Sequence, residues 1–213
     1  SDYYFITEED AKINLTNEGV ASEKIYFVGN LMIDSLYFAL DKIKSRDKFK
    51  DYNYGLVTLH RPSNVDDLDT LKGILDALDI ISEEIILYFS LHPRTKLVIE
   101  KNKLQLSQNI KILDSLSHFN FLHVMRDCKV IFTDSGGIQE EATVLKIPCY
   151  TLRENTERPI TLRTGTNHLA GIKKENILAT FSEKKYSILN SYKVPEGWDG
   201  KASYRIIDIL EKL

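Results

Sequence analysis

Val130-Ile131-Phe132-Thr133-Asp134-Ser135-Gly136-Gly137-Ile138-Gln139-Glu140-Glu141 is the stretch on which the rest of this chain turns. The β-branched and aromatic run before Asp134 is a strand signal, and 138–146 carries apolar residues at helical spacing, so Ser135-Gly136-Gly137 falls where strand becomes helix. Unsatisfied backbone N–H groups gather at such a junction, and the helix N-terminus adds a partial positive charge. Two glycines let a diphosphate approach the main chain, and Ser135 can add a hydroxyl donor. Glu141 lies roughly one turn into the helix, where its carboxylate could accept both hydroxyls of a ribose. The stretch therefore suits a nucleoside diphosphate. An ordinary strand-loop-helix crossover, with Glu140 and Glu141 favouring the helix dipole, fits the same residues.

Outward from this stretch the pattern is regular. Strands are expected at 55–60, 85–92, 110–113 and 147–152 around the central one, and helices at 66–81, 95–104 and 118–128. Alternation with near-continuous apolar strands predicts an α/β fold, a Rossmann-like parallel sheet with helices on both faces. Ligands of such sheets bind at the carboxyl ends of the strands. His60-Arg61-Pro62-Ser63-Asn64, His92-Pro93-Arg94-Thr95, Asp134 to Gly137 and Arg153 to Pro159 each follow a strand, so one sheet edge gathers all of them. Arg61, Arg94, Arg153 and Arg158 could neutralise a diphosphate or form surface ion pairs, and Glu154 and Glu157 could pair with the arginines beside them. His60 could donate to a departing phosphate oxygen; a lone histidine is more often structural.

With 213 residues, 43% hydrophobic and 28% charged, the chain can bury one sizeable α/β core or two small ones. A net charge of -3 and a pI of about 6.0 give no global basic field to recruit nucleic acid or an anionic membrane. Cys128 and Cys149 sit in apolar stretches without metal-like spacing, as buried thiols in a reducing compartment would. With no signal peptide and no long apolar run, a cytoplasmic protein is expected.

Ahead of the regular region, a strand at 3–7 leads into a helix at 8–19, with Thr7 as cap, Ala11 and Leu15 on one face and Gly19 as stop. A short strand at 25–28, a break at Gly29-Asn30 and a helix at 31–43 follow. The charged run 41–50 reads as a linker or a solvated helix end. At the other end Asp199-Gly200 breaks the chain, and Ala202, Ile206, Ile209, Leu210 and Leu213 mark an amphipathic final helix that needs a partner.

Several strings resemble motifs of the UDP-N-acetylglucosamine 2-epimerase family in their usual order. They are LVTLHRPSNVD (56–66), FSLHPRT (89–95), FTDSGGIQEEATVLKIPC (132–149), LRENTERPITLRTGTNHLAG (152–171) and EGWDGKASYRIIDIL (196–210). FITEEDAKINLTNEGV (5–20) and FVGNLMIDSL (27–36) resemble the end of the family's first domain and the crossing into its second. The resemblance implies the second lobe of a GT-B-like two-lobe fold with the nucleotide-sugar between the lobes. Residues 1–45 would be a remnant of the first lobe and the interlobe linker, 46–195 the UDP-binding lobe, and 196–213 a C-terminal crossover helix.

In chemistry, the resemblance implies abstraction of the sugar C2 proton, elimination of UDP and its re-addition with inversion, without metal or other cofactor, in cell-envelope polysaccharide biosynthesis. The family's proton-handling carboxylates lie in the first lobe, absent before Ser1, so this chain would bind UDP without epimerising alone. A homodimer is implied for the full-length protein. Ser135, Gly136 and Gly137 would hold the diphosphate, Glu141 the ribose, and Arg158 a secondary phosphate contact. His60 would be catalytic. Phe121 would lie beside uracil or be an ordinary core residue; Arg61 and His92 match positions that touch a second, regulatory UDP-N-acetylglucosamine in some members. Trp198 would serve interlobe packing, and an isolated chain would self-associate through apolar surface at 1–36 and the last helix. Pro62-Ser63-Asn64 stands where many members carry an acidic residue, which puts that regulation in doubt. A hydrolysing 2-epimerase, a GT-B glycosyltransferase and a non-catalytic nucleotide-binding module share the same seat.

Overall fold

The computed structural model describes residues 1–43, 53–114, 116–188 and 192–212. Strands β1 (Tyr4–Ile6) and β2 (Ile25–Phe27) pair in parallel as a two-stranded sheet, joined through helix α1 (Glu9–Asn17). Helix α2 (Leu31–Lys42) follows. The main body then runs β3 (Tyr54–Thr58), α3 (Pro62–Val65), α4 (Leu68–Ile81), β4 (Ile86–Ser90), α5 (Pro93–Lys101), β5 (Ile110–Leu113), α6 (His118–Met125), β6 (Val130–Thr133) and α7 (Gly136–Leu145). It continues through β7 (Cys149–Thr151), α8 (Pro159–Arg163), β8 (Asn167–Leu169), α9 (Lys174–Lys184) and α10 (Ala202–Leu210).

All six strands of the large sheet are parallel, in the order β5-β4-β3-β6-β7-β8. Counted from β3 this is 3-2-1-4-5-6, the doubly wound order of the Rossmann-like fold class that the alternation predicts. β3 and β6 are buried at every position, as central strands covered on both faces must be, and they align Thr58 with Thr133. Successive side chains of a strand point to opposite faces, so each strand feeds two cores. Val57, Val130 and Phe132 pack with Leu71, Ile74 and Leu78 of α4 and Ile177 and Phe181 of α9. Leu56 and Ile131 pack on the other side with Ile33 and Leu36 of α2, Leu122 of α6, Ala142 of α7 and Trp198.

Several boundaries differ from expectation for local reasons. The N-cap of α1 is Glu8, not Thr7, and it makes no side-chain capping bond. Gly19 does end that helix, at φ +87°, with the Val20 N–H donating to Leu15 O. The segment after β3 is not a plain loop, because Pro62 opens the short α3 with its φ already helical. α4 consequently starts late, capped by Asp67, whose side chain accepts from Thr70 N at 2.7 Å. α5 starts early, because His92 Nδ1 accepts from Arg94 N at 3.2 Å and caps it.

α8, β8 and α9 were not anticipated. β8 is three residues long and its Asn167 and His168 are polar yet buried, so no apolar alternation announces it. The Asn167 side chain is held there by Thr151, Thr161 and Gln139. Asp41 and Lys42 close α2 and Ile43 caps it, while 44–50 of the expected linker lie outside the described residues, as does Leu213. In the final helix Ala202 is buried and Ile206 and Ile209 are half-buried, but Leu210 is 52% exposed and leaves the expected stripe. Asp34 of α2 caps that helix from outside, accepting from Ala202 N (3.0 Å) and Ser203 N (2.7 Å), which fixes its rotation. Cys128 and Cys149 are free, buried thiols. Among the described residues, no helix is long and apolar enough to cross a membrane.

Candidate nucleotide site

In a sheet of this order, connections leave β3 and β6 toward opposite faces, which opens a crevice at their carboxyl ends. Asp134, the first residue after β6, sits at the bottom of it with 0% exposure. Its carboxylate accepts from His60 N (3.0 Å), Arg61 N (2.9 Å) and Asn64 Nδ2 (3.3 Å), and His60 Nδ1 lies 2.9 Å away. Below it, the Thr58 and Thr133 hydroxyls bond each other at 2.8 Å. One buried carboxylate thus organises the whole turn after β3. The bond to Asp134 raises the His60 pKa, against the downward push of burial. With Nδ1 committed to Asp134, Nε2 is the ring nitrogen left to act on a ligand.

Ser135 caps α7 with extended backbone, and its side chain makes no capping hydrogen bond. The hydroxyl therefore remains a possible ligand donor beside the Gly136 and Gly137 amides, which as first-turn groups lack intrahelical partners. Six residues on, Glu141 is 3% exposed. Burial pushes its pKa up, and a 2.9 Å contact with His118 Nε2 pulls it back.

His60, His92, Phe121, Ser135 and Glu141 line a single cavity of about 320 Å³. Five of the expected site residues are thereby brought together, from the ends of four strands. Phe121 lines the cavity and also packs on the α2/α6 core. The arginines stand outside the lining, each in an ion pair. Arg94 pairs with Asp66, its Nε 2.8 Å from Oδ1. Arg61 donates to Asp134 O (2.9 Å) and to Glu157 (2.6 Å), and Arg153 pairs with the same Glu157. Burial opposes the Glu157 charge, but a backbone bond and the two arginines together hold its pKa at about 2. Arg158 Nε lies 2.7 Å from Glu140 Oε1, on the other side of α7.

Two site residues were given no role from sequence. His118 opens the helix after β5, so the rule of looking just after strands reaches it. Asp134 was visible only as part of a turn; its role depends on pairing with the distant 60–64 segment.

The family model described as UDP-N-acetylglucosamine 2-epimerase matches residues 1–211. The UDP-N-acetylglucosamine 2-epimerase of Methanocaldococcus jannaschii is 38% identical over 99% of this chain. The chain spans 61% of that relative's length. A crystal structure of the M. jannaschii enzyme in complex with UDP-GlcNAc and UDP superposes with a TM-score of 0.84 at 36% identity, covering 100% of this chain and 62% of that one. The Neisseria meningitidis enzyme bound to UDP-GlcNAc gives a TM-score of 0.85 at 28% identity, again over 100% of this chain and 62% of that one.

Proposed function

The chain belongs to the UDP-N-acetylglucosamine 2-epimerase family, and on that premise we propose that it carries the UDP-binding lobe of an enzyme interconverting UDP-GlcNAc and UDP-ManNAc. The observation that supports this most is the convergence of His60, Phe121, Ser135 and Glu141 on one cavity at the sheet's switch point. The α7 N-terminus supplies amide donors and a positive end for a diphosphate, Glu141 accepts from ribose hydroxyls, and Phe121 offers an apolar face to a pyrimidine.

In the reaction, a base removes the C2 proton of the sugar, the C1–O bond breaks, and its electron pair leaves with UDP to give a C1–C2 alkene. UDP then returns to C1 as a proton is delivered to C2 from the other face. The His60 contribution is a hydrogen bond from Nε2–H of the protonated ring to the departing phosphate oxygen, with Asp134 favouring that protonated form and orienting the ring. Residues 46–195 form the nucleotide lobe in this proposal, 1–45 the remnant and linker, and 196–213 the crossover helix. The C2 base lies outside this chain, so the chain alone binds UDP and does not epimerise. Arg61 and His92 are the regulatory contacts, a part that fits His92 better than Arg61, whose guanidinium is engaged with Asp134 and Glu157.

Calorimetric titration of the chain with UDP and GDP tests the proposal. UDP should bind and GDP should not, and Ser135→Ala should weaken UDP about tenfold, one hydrogen bond to a charged group. Equal affinity for UDP and GDP would count against it. Incubation with UDP-GlcNAc in heavy water should leave C2 undeuterated; incorporation by the chain alone would show that the proton chemistry is already present here.

A further inference from the structure

The contact between His118 and Glu141 joins two residues of unequal exposure. The Glu141 side chain on α7 is 4% exposed, whereas that of His118, at the start of α6, is 52% exposed, and its Nε2 lies 2.9 Å from Glu141 Oε1. Burying a carboxylate is costly, and burial pushes the Glu141 pKa up while the bond to His118 pulls it down. A half-exposed ring adds little to the core, so the pair is better explained by what the cavity holds than by folding. Both side chains line the cavity, together with Ser135 and Phe121. His118 and Phe121 stand three residues apart on α6 and so share a face of that helix.

A glutamate carboxylate turns easily about its last side-chain bond, because that torsion has broad, twofold minima. Reading a ribose requires the opposite. Two neighbouring hydroxyls need two acceptor lone pairs held in one orientation, and any freedom left to the carboxylate is lost on binding. A donor fixed on Oε1 removes that freedom in advance. His118 is itself held in place: Ser117 caps α6, its Oγ accepting from Asn120 N at 3.4 Å, and Leu122 and Met125 anchor the helix in the core. With Oε1 accepting from Nε2–H, Oε2 and the second lone pair of Oε1 remain for the ligand.

We propose that His118 is a positioning residue: by holding Oε1 of Glu141 it sets the carboxylate plane that distinguishes a ribose, with both hydroxyls, from a 2′-deoxyribose. This role rests on the proposed UDP site. His118→Leu removes the donor, and His118→Gln returns an amide N–H near the place of Nε2; thermal melts report whether each variant folds. Calorimetry with UDP and with 2′-deoxy-UDP reads the effect as the ratio of the two affinities. The unaltered chain should favour UDP about tenfold, one hydrogen bond to a charged group. His118→Leu should bring the ratio down to about two, mainly by weakening UDP, and His118→Gln should recover most of it. In a Glu141→Gln background, His118→Leu should change the ratio no further, because it acts through that carboxylate. An unaltered chain that binds both nucleotides equally, an unchanged ratio in His118→Leu, or no recovery in His118→Gln would overturn the positioning role while leaving the UDP site standing. Failure of the unaltered chain to bind UDP would remove the nucleotide site and this role with it.

Discussion

Replacing Asp134 by Asn should unfasten the turn after β3 while barely changing its shape. The carboxylate is fully buried and takes hydrogen bonds from His60 N, Arg61 N, Asn64 Nδ2 and the His60 ring. An amide can keep one oxygen, but its NH₂ then faces donors, so about two of these bonds become repulsive contacts. At about 1.5–3 kcal/mol for a bond to a charged group, and allowing for relaxation, the loss is about 3–4 kcal/mol. For a chain of this size that is a fall of about 1–2 M in urea midpoint.

The pH dependence carries a sign. Asp134 raises the His60 pKa above its ordinary value of 6.5, so this pair's contribution to stability is complete below that value. It disappears as pH rises through the raised folded value. In Asp134→Asn that slope should flatten, and the His60 ring proton followed by NMR should titrate at lower pH. A variant with the original midpoint and an unmoved His60 titration would refute the role assigned to Asp134.

Other substitutions separate stability from binding. Glu141→Gln removes a buried carboxylate whose pKa is raised by burial, so the ligand-free chain should melt at the same temperature or slightly higher at neutral pH while UDP binding weakens about tenfold; calorimetry and thermal melts read the two effects. A Cβ added by Gly136→Ala comes closest to the carboxylate end of Glu157, at 3.0 Å, and the variant should fold yet weaken UDP by holding the phosphates off the backbone. Gly29→Ala is the contrast, since φ is +87° and the new Cβ would lie 2.0 Å from Gly197 O; a loss of about 2–4 kcal/mol in urea is expected. Burial raises both cysteine thiol pKa values strongly, so neither Cys128 nor Cys149 should react with a thiol reagent until the chain is denatured.

What could be seen in sequence divides along a physical line. The central strands announced themselves because parallel strands covered on both faces are apolar throughout, and the glycine turn after β6 stood out because backbone donors need room. Polar residues just after strands then identified three of the side chains that line the cavity, His60, His92 and Ser135. Of the two sheet edges β5 was legible, and β8 was not. β8 is buried through the side-chain bonds of Asn167, whose partners Gln139, Thr151 and Thr161 belong to the preceding elements α7, β7 and α8. The role of Asp134 escaped notice for a related reason: its partners lie 70 or more positions away, and register alone brings them together. The arginines were legible as cations but not as ion pairs, since Glu157 and Asp66 become their partners only once the loops are folded against each other.

The central claim is that the α7 N-terminus is the phosphate seat. Titrating ¹⁵N-labelled chain with UDP while following backbone amides would test it most directly. Saturable shifts largest at Ser135, Gly136 and Gly137, with smaller ones at Glu141 and Phe121 and little change along β8, are what the account predicts. UDP binding that leaves the Gly136 and Gly137 amides unmoved would contradict it.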